Sequence, residues 1–144
     1  MAAEIKTAGY SGTPLSEKLG IKERSRVYVL NGPADYRRLL DPMPADVTFS
    51  RSPSARTDLA HIFITRRRDL ERHLASLRAS LADTTPIWVS WPKKSARLPT
   101  DVTEDTVRAV ALPMGFVDIK VCAVSEVWSG LKLVVRKELR AKAI

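Results

Sequence analysis

The sequence predicts an α/β protein, built on a mostly parallel sheet of about six strands with an antiparallel hairpin at its C-terminal end. Three observations carry this. Short apolar runs, RVYVL at 26–30, LAHIFIT at 59–65 and IWVSW at 87–91, have the length and composition of buried strands. Between the last two, Leu70, Leu74, Leu77 and Leu81 fall at i, i+4, i+7 and i+11, one face of a helix. FVDIKVCAV and LKLVVRK are separated only by SEVWSG, too little chain for a crossover, so they must pair antiparallel.

Taken in order, TPLSEKLGI predicts a short helix with Thr13 as cap, Pro14 at the first helical position and Gly20 ending it. RVYVL follows as the first strand and stops at Asn31-Gly32-Pro33. ADYRRLL gives a short helix with Tyr36, Leu39 and Leu40 on one side, and ADVTFS at 45–50 a weak second strand. RSPSART is a loop. LAHIFIT is a stronger strand, and the leucine-striped helix after it starts near Asp69 and ends at Asp-Thr-Thr-Pro. IWVSW is the fourth strand. In TDVTEDTVRAVALPMG, Thr103 caps a helix whose first turn carries Glu104 and Asp105. Val107, Val110, Ala111 and Met114 form its buried face, Pro113 makes the last turn irregular and Gly115 ends it.

The 144 residues suit one domain, 14–137, with a flexible N-terminus at 1–13 and a tail at 138–144. No apolar run approaches the roughly 20 residues needed to span a bilayer. The first dozen residues lack a basic head with an apolar stretch, and one cysteine excludes an internal disulfide framework. A cytoplasmic protein without membrane contact is expected. A formal charge of +8 favours anionic partners: a small molecule, nucleic acid or an acidic protein. The cations fall in separate clusters rather than one basic arm. A homo-oligomer is compatible with all of this.

In open α/β sheets ligands sit outside the carboxyl ends of the parallel strands. Those ends carry Asn31 and Gly32, then Arg66, Arg67 and Arg68, then Lys93, Lys94 and Ser95. If the strands are parallel and adjacent, these loops form one basic edge, and the helix after Arg66 to Arg68 points its positive end the same way. The opposing explanation is that strand ends meet water and arginine and lysine are common there. Trp88 and Trp91, three apart on a strand, point to opposite faces and suit packing. Trp91 and Trp128, the latter in the hairpin loop, are carried as contact candidates.

Catalytic and metal constellations are missing. Two histidines and one cysteine supply no zinc site; His61 in an apolar strand reads as a hydrogen-bonded core residue and Cys122 as a buried inert thiol. No glycine-rich phosphate loop or nucleophile elbow is present, and no cofactor is expected. These features favour a non-catalytic binding or regulatory module. The alternatives are a small enzyme for a phosphorylated or nucleotide substrate, using Lys93 or Lys94 with Asn31 and Asp118, and an assembly module working through the hairpin and Trp128.

At VSWPKKSARLPTDVTEDTVR and GFVDIKVCAVSEVWSGLKLVVRK, and again at TPLSEKLGIKERSRVYVLNGPADY, the chain resembles a small bacterial family named domain of unknown function 3052. The resemblance runs from about residue 13 to 137, with WPKK and VWSGLK its most specific parts, and implies no particular activity. Members often place lysine-glycine before the first strand, where this chain has Lys22 and then Glu23-Arg24-Ser25. More distantly, DLAHIFIT, PIWVSWPK and the GF-headed hairpin resemble the second half of a class I methyltransferase, a Rossmann-like fold. Methyltransferases hold S-adenosylmethionine with a glycine-rich turn after strand one and an acid at the end of strand two. Here VLNGPADY and VTFS offer neither, which implies a shortened fold without the cofactor.

Overall fold

The computed structural model describes residues 12–141. The elements in chain order are α1 (Leu15–Leu19), β1 (Arg26–Leu30), α2 (Tyr36–Leu39), β2 (Thr48–Ser50), β3 (Leu59–Phe63), α3 (Arg67–Ser80), β4 (Ile87–Pro92), α4 (Glu104–Ala111), β5 (Phe116–Ala123) and β6 (Trp128–Val135). They form a six-stranded sheet of order β2-β1-β3-β4-β6-β5. The first four strands are mutually parallel; β6 runs antiparallel to both β4 and β5. The expected α/β class, the strand number and the antiparallel pair are all present.

Several local boundaries differ from expectation, each for a physical reason. Pro14, not Thr13, holds the cap position of α1, and its carbonyl accepts from the amides of Glu17 and Lys18. Gly20 ends that helix at φ 90°, a left-handed conformation that glycine adopts without strain. The second strand shrinks from 45–50 to three residues because Asp46 turns left-handed and, among the described residues, β1 is its only partner. The leucine helix starts at Arg67, two residues earlier than expected. Thr103 does cap α4, in a reciprocal pair with Thr106. The last strand begins at Trp128 rather than Leu131, since Trp128 pairs with Pro92 and its carbonyl accepts from Val124. Trp128 is therefore a strand residue, not a loop residue. The expected flexible residues 1–11 and tail residues 142–144 lie outside the described range. Before that tail, Arg140 donates to the Val135 carbonyl and the Ala141 amide to Asp83.

Two cores flank the sheet. On one face Leu70, Leu74 and Leu77 of α3 and Val107 and Val110 of α4 pack on Ile62, Val89, Trp91 and Leu131. On the other, Leu15 and Leu19 of α1 and Tyr36 of α2 pack on Val27, Leu59, Phe63 and Trp88. The tryptophans of β4 thus point to opposite faces as alternation requires, and both are buried. Among the described residues no helix is long and apolar enough to cross a membrane.

Candidate functional site

Strand order decides where a site can lie. From β1 the chain moves to β2 on one side, then returns to place β3 on the other. The crevice outside the ends of β1 and β3 is therefore the switch point at which open α/β sheets bind ligands. Leu30 pairs with Ile62 and Phe63 with Ser90, so the three parallel strands end along one edge. Asn31, Gly32, Arg66, Arg67, Lys94 and Ser95 are exposed there, and Lys93 is half-buried.

The backbone fixes these tips. Asn31 takes φ 57°, a left-handed turn that asparagine tolerates better than most residues. A Cβ on Gly32 would lie 2.8 Å from Val29 Cγ1 and 3.5 Å from Tyr36 Cγ, so the glycine is required by the chain's own packing. The Lys93 amide donates to the Val127 carbonyl at 2.8 Å, tying the end of β4 to the hairpin turn. Lys94–Ala96 then forms a 3-10 turn closed by Arg97 at φ 55°.

An internal anion already sits on this edge. Asp101, from the loop after β4, accepts a hydrogen bond from the Arg67 amide at 2.6 Å through Oδ1. Arg66 occupies the cap position of α3 and makes no side-chain cap bond, so Asp101 supplies the carboxylate that a helix start favours. The loop is pinned by the Thr65 carbonyl, which accepts from the Asp101 amide and from Thr100 Oγ1. Among the described residues, Arg66, Arg68, Lys93, Lys94 and Arg97 form no ion pair, whereas Arg67 pairs with Glu71 at 3.3 Å. Asp101 lies 34 residues from Arg67 in sequence, and no local pattern announces their meeting.

Three candidates change role. Trp91 is buried on the α3–α4 face and unavailable for stacking on a ligand. Trp128 is half-buried, with its ring edge-on to Phe63 at 5.0 Å, which makes it a packing residue first. Asp118 pairs through Leu133 with the Ile87 end of β4, opposite to Lys93. There Arg108 Nε donates to it at 2.9 Å, and this bond holds its carboxyl below the ordinary range. It cannot act with Lys93 or Lys94.

Two other groups bear on chemistry. His61 is fully buried, with Nδ1 2.7 Å from Tyr36 Oη and Nε2 2.8 Å from Ser90 Oγ. A neutral imidazole needs one donor and one acceptor partner, and two hydroxyls can provide both. Burial pushes its pKa down to about 3 and that of Tyr36 up. This is the core histidine the sequence predicts. Cys122 is half-buried rather than enclosed, and burial raises its thiol pKa. It lines a concavity of about 680 Å³ between α1 and the β5 edge, where the lining residue Ser129 pairs with Trp91 of β4. Among the described residues no group of three or more histidine, cysteine, aspartate or glutamate side chains is placed to hold a metal.

Solved structures that share this fold include methyltransferases. A SAM dependent methyltransferase from Aquifex aeolicus superposes with a TM-score of 0.55 at 12% identity, covering 84% of this chain and 87% of that one. TrmN from Thermus thermophilus gives 0.52 at 11% identity over 84% of this chain and 46% of its own, so this chain spans under half of TrmN. A protein of the NADB-Rossmann superfamily from Streptococcus agalactiae gives 0.50 at 7% identity, with 92% and 71% covered. At these identities the likeness is one of fold, and fold does not carry activity. No family model matches the chain, and no curated protein matches it in sequence. The resemblance to domain of unknown function 3052 thus rests on its motifs alone.

The residues present do not fit S-adenosylmethionine. The turn after β1 has one glycine, and a Cβ on it would meet Val29 and Tyr36, so it serves the chain's own packing. Tyr36 packs edge-on to Phe49, His61 and Phe63 beneath that turn. The end of β2 carries Ser50 and Arg51 in place of a carboxylate.

Proposed function

We propose that this protein is a non-catalytic binding module, in which a methyltransferase-like scaffold presents the carboxyl edge of its parallel strands to an anionic partner. The carrying observation is the placement of Arg66, Arg67, Lys93 and Lys94 along the edge at the switch point, with Asp101 on the Arg67 amide as an internal anion. The +8 charge favours encounter with such partners. Likeness to domain of unknown function 3052 at WPKK is part of the same proposal, because that motif supplies two of the four cations.

Titration of phosphorylated metabolites, RNA and DNA at two salt concentrations tests it. Arg67→Glu with Lys93→Glu is expected to weaken binding about tenfold or more and to flatten its salt dependence. Asp101→Asn, which removes the competing carboxylate, is expected to strengthen it. Wild type that binds none of the three classes would remove the proposal. For the enzyme alternative with Lys93 or Lys94, Asp118 is no longer a partner.

Assembly through the hairpin is favoured by a different observation. Ile119 and Val121 of the edge strand β5 are 54% and 51% exposed, and an open strand edge accepts another strand. Light scattering across a concentration series would then show a dimer that Val121→Lys abolishes; a monomer throughout would count against self-assembly.

A further inference from the structure

On the face of the hairpin toward α1, the sheet brings like charges together. Lys120 of β5 stands directly opposite Lys132 of β6, an arrangement that repels across an antiparallel pair. Lys132 lies beneath the turn that ends α1, its Nζ 3.8 Å from where a Cβ on Gly20 would be. Lys22, from the same turn, adds to the positive field at Lys132, whose pKa is lowered by burial first and then by Lys120 and Lys22. Lys120 reaches back to the Lys18 carbonyl at 3.4 Å, so its charge is held over α1. Among the described residues no ion pair joins Lys22, Lys120 or Lys132 to a carboxylate.

Of these three lysines Lys120 lines a concavity of about 680 Å³, with Lys18, Cys122, Ser129, Thr13 and, as the one acid among the described residues, Glu17; Lys132, opposite Lys120, and Lys22 lie outside that lining. Its volume falls within the range of small-molecule sites. Repelling lysines that lack a counter-ion beside such a space fit a multivalent anion better than they fit an unliganded fold. We infer that the hairpin and α1 form a second anion site, built on lysines other than those of the strand-end edge, for a small phosphorylated molecule held by Lys120 at the concavity, with Lys132 and Lys22 adding to the positive field beside it. Bound phosphate oxygens would accept hydrogen bonds from the ammonium groups and relieve their repulsion. Cys122, in the same lining, would report on occupancy without taking part.

The test uses pyrophosphate and inorganic phosphate with the full chain. Calorimetric titration should show pyrophosphate binding more tightly than phosphate. Lys120→Gln, at an exposed position, should weaken pyrophosphate about tenfold, and Lys132→Gln, which lowers the field from outside the lining, should weaken it less. In the Arg67→Glu with Lys93→Glu background, where strand-end binding is weakened, Lys120→Gln should still weaken the remaining pyrophosphate binding about tenfold, which separates the two sites. Saturating pyrophosphate should also slow alkylation of Cys122 by neutral iodoacetamide in wild type. The inference is overturned if pyrophosphate does not bind at millimolar concentration. It is equally overturned if the Arg67→Glu with Lys93→Glu background binds no pyrophosphate, or if Lys120→Gln changes nothing in that background.

Discussion

Trp88→Ala is expected to cost about 4 kcal/mol of folding stability, a large share of the roughly 5–15 kcal/mol that holds a whole domain. Trp88 is completely buried in the centre of the sheet, where it packs beneath α1. Its indole Nε1 donates to the Leu19 carbonyl at 2.8 Å, an oxygen at the end of α1 with no further helical turn to satisfy it. Gly130 on β6 makes room for the ring: a Cβ there would lie 3.3 Å from Trp88 Cε3. Truncation removes the ring, opens a cavity and leaves the carbonyl unpaired at once. Urea unfolding of the wild type, Trp88→Ala and Trp88→Phe would measure the effect. Phenylalanine should cost less, because it keeps most of the apolar volume and loses chiefly the hydrogen bond. A Trp88→Ala midpoint equal to wild type would mean that α1 is not docked as described.

The second large effect is on acid stability, through His61. Its folded pKa is about 3 against an ordinary 6.5. Between these values the unfolded chain binds a proton that the folded chain refuses. The stabilisation is complete above about pH 6.5 and is lost as pH falls toward about 3, with a slope approaching ~1.4 kcal/mol per pH unit. His61→Gln keeps one donor and one acceptor for Tyr36 and Ser90 but cannot titrate. The wild-type stability relative to this variant should therefore fall by about that slope between roughly pH 6 and roughly pH 4. Denaturant titrations at several pH values would show it; parallel curves for the two proteins would mean that His61 becomes charged inside the fold.

Much of the architecture is legible in the sequence because the same physical preference recurs at several scales. The leucines at 70, 74 and 77 need one apolar face, and all three are buried against the sheet. RVYVL and IWVSW lack polar alternation because both of their faces are covered, as β1 and β4 are here. SEVWSG was bound to yield a hairpin, yet the turn is shorter than the polar letters suggest. Trp128 to Gly130 join the strand because their partners on β4 and β5 outweigh local propensity. The common edge of Asn31, Arg66 and Lys93 follows from parallel pairing. Asp101 on Arg67, Asp118 on Arg108 and Lys120 facing Lys132 do not follow from any local pattern. They depend on strand register and loop path, which are set by tertiary packing across 10 to 34 residues or between whole strands.

The two faces of the sheet are roofed unequally. On one side lie helices of 14 and 8 residues; on the other, helices of 5 and 4. Helices that short have no standing of their own in water, where even about 12–15 residues are marginal. They persist only while Leu15, Leu19, Tyr36 and Leu40 remain seated. Fluctuations that admit solvent to the interior will therefore begin beneath the thin roof, and the leucine-striped half will keep the molecule together while they pass.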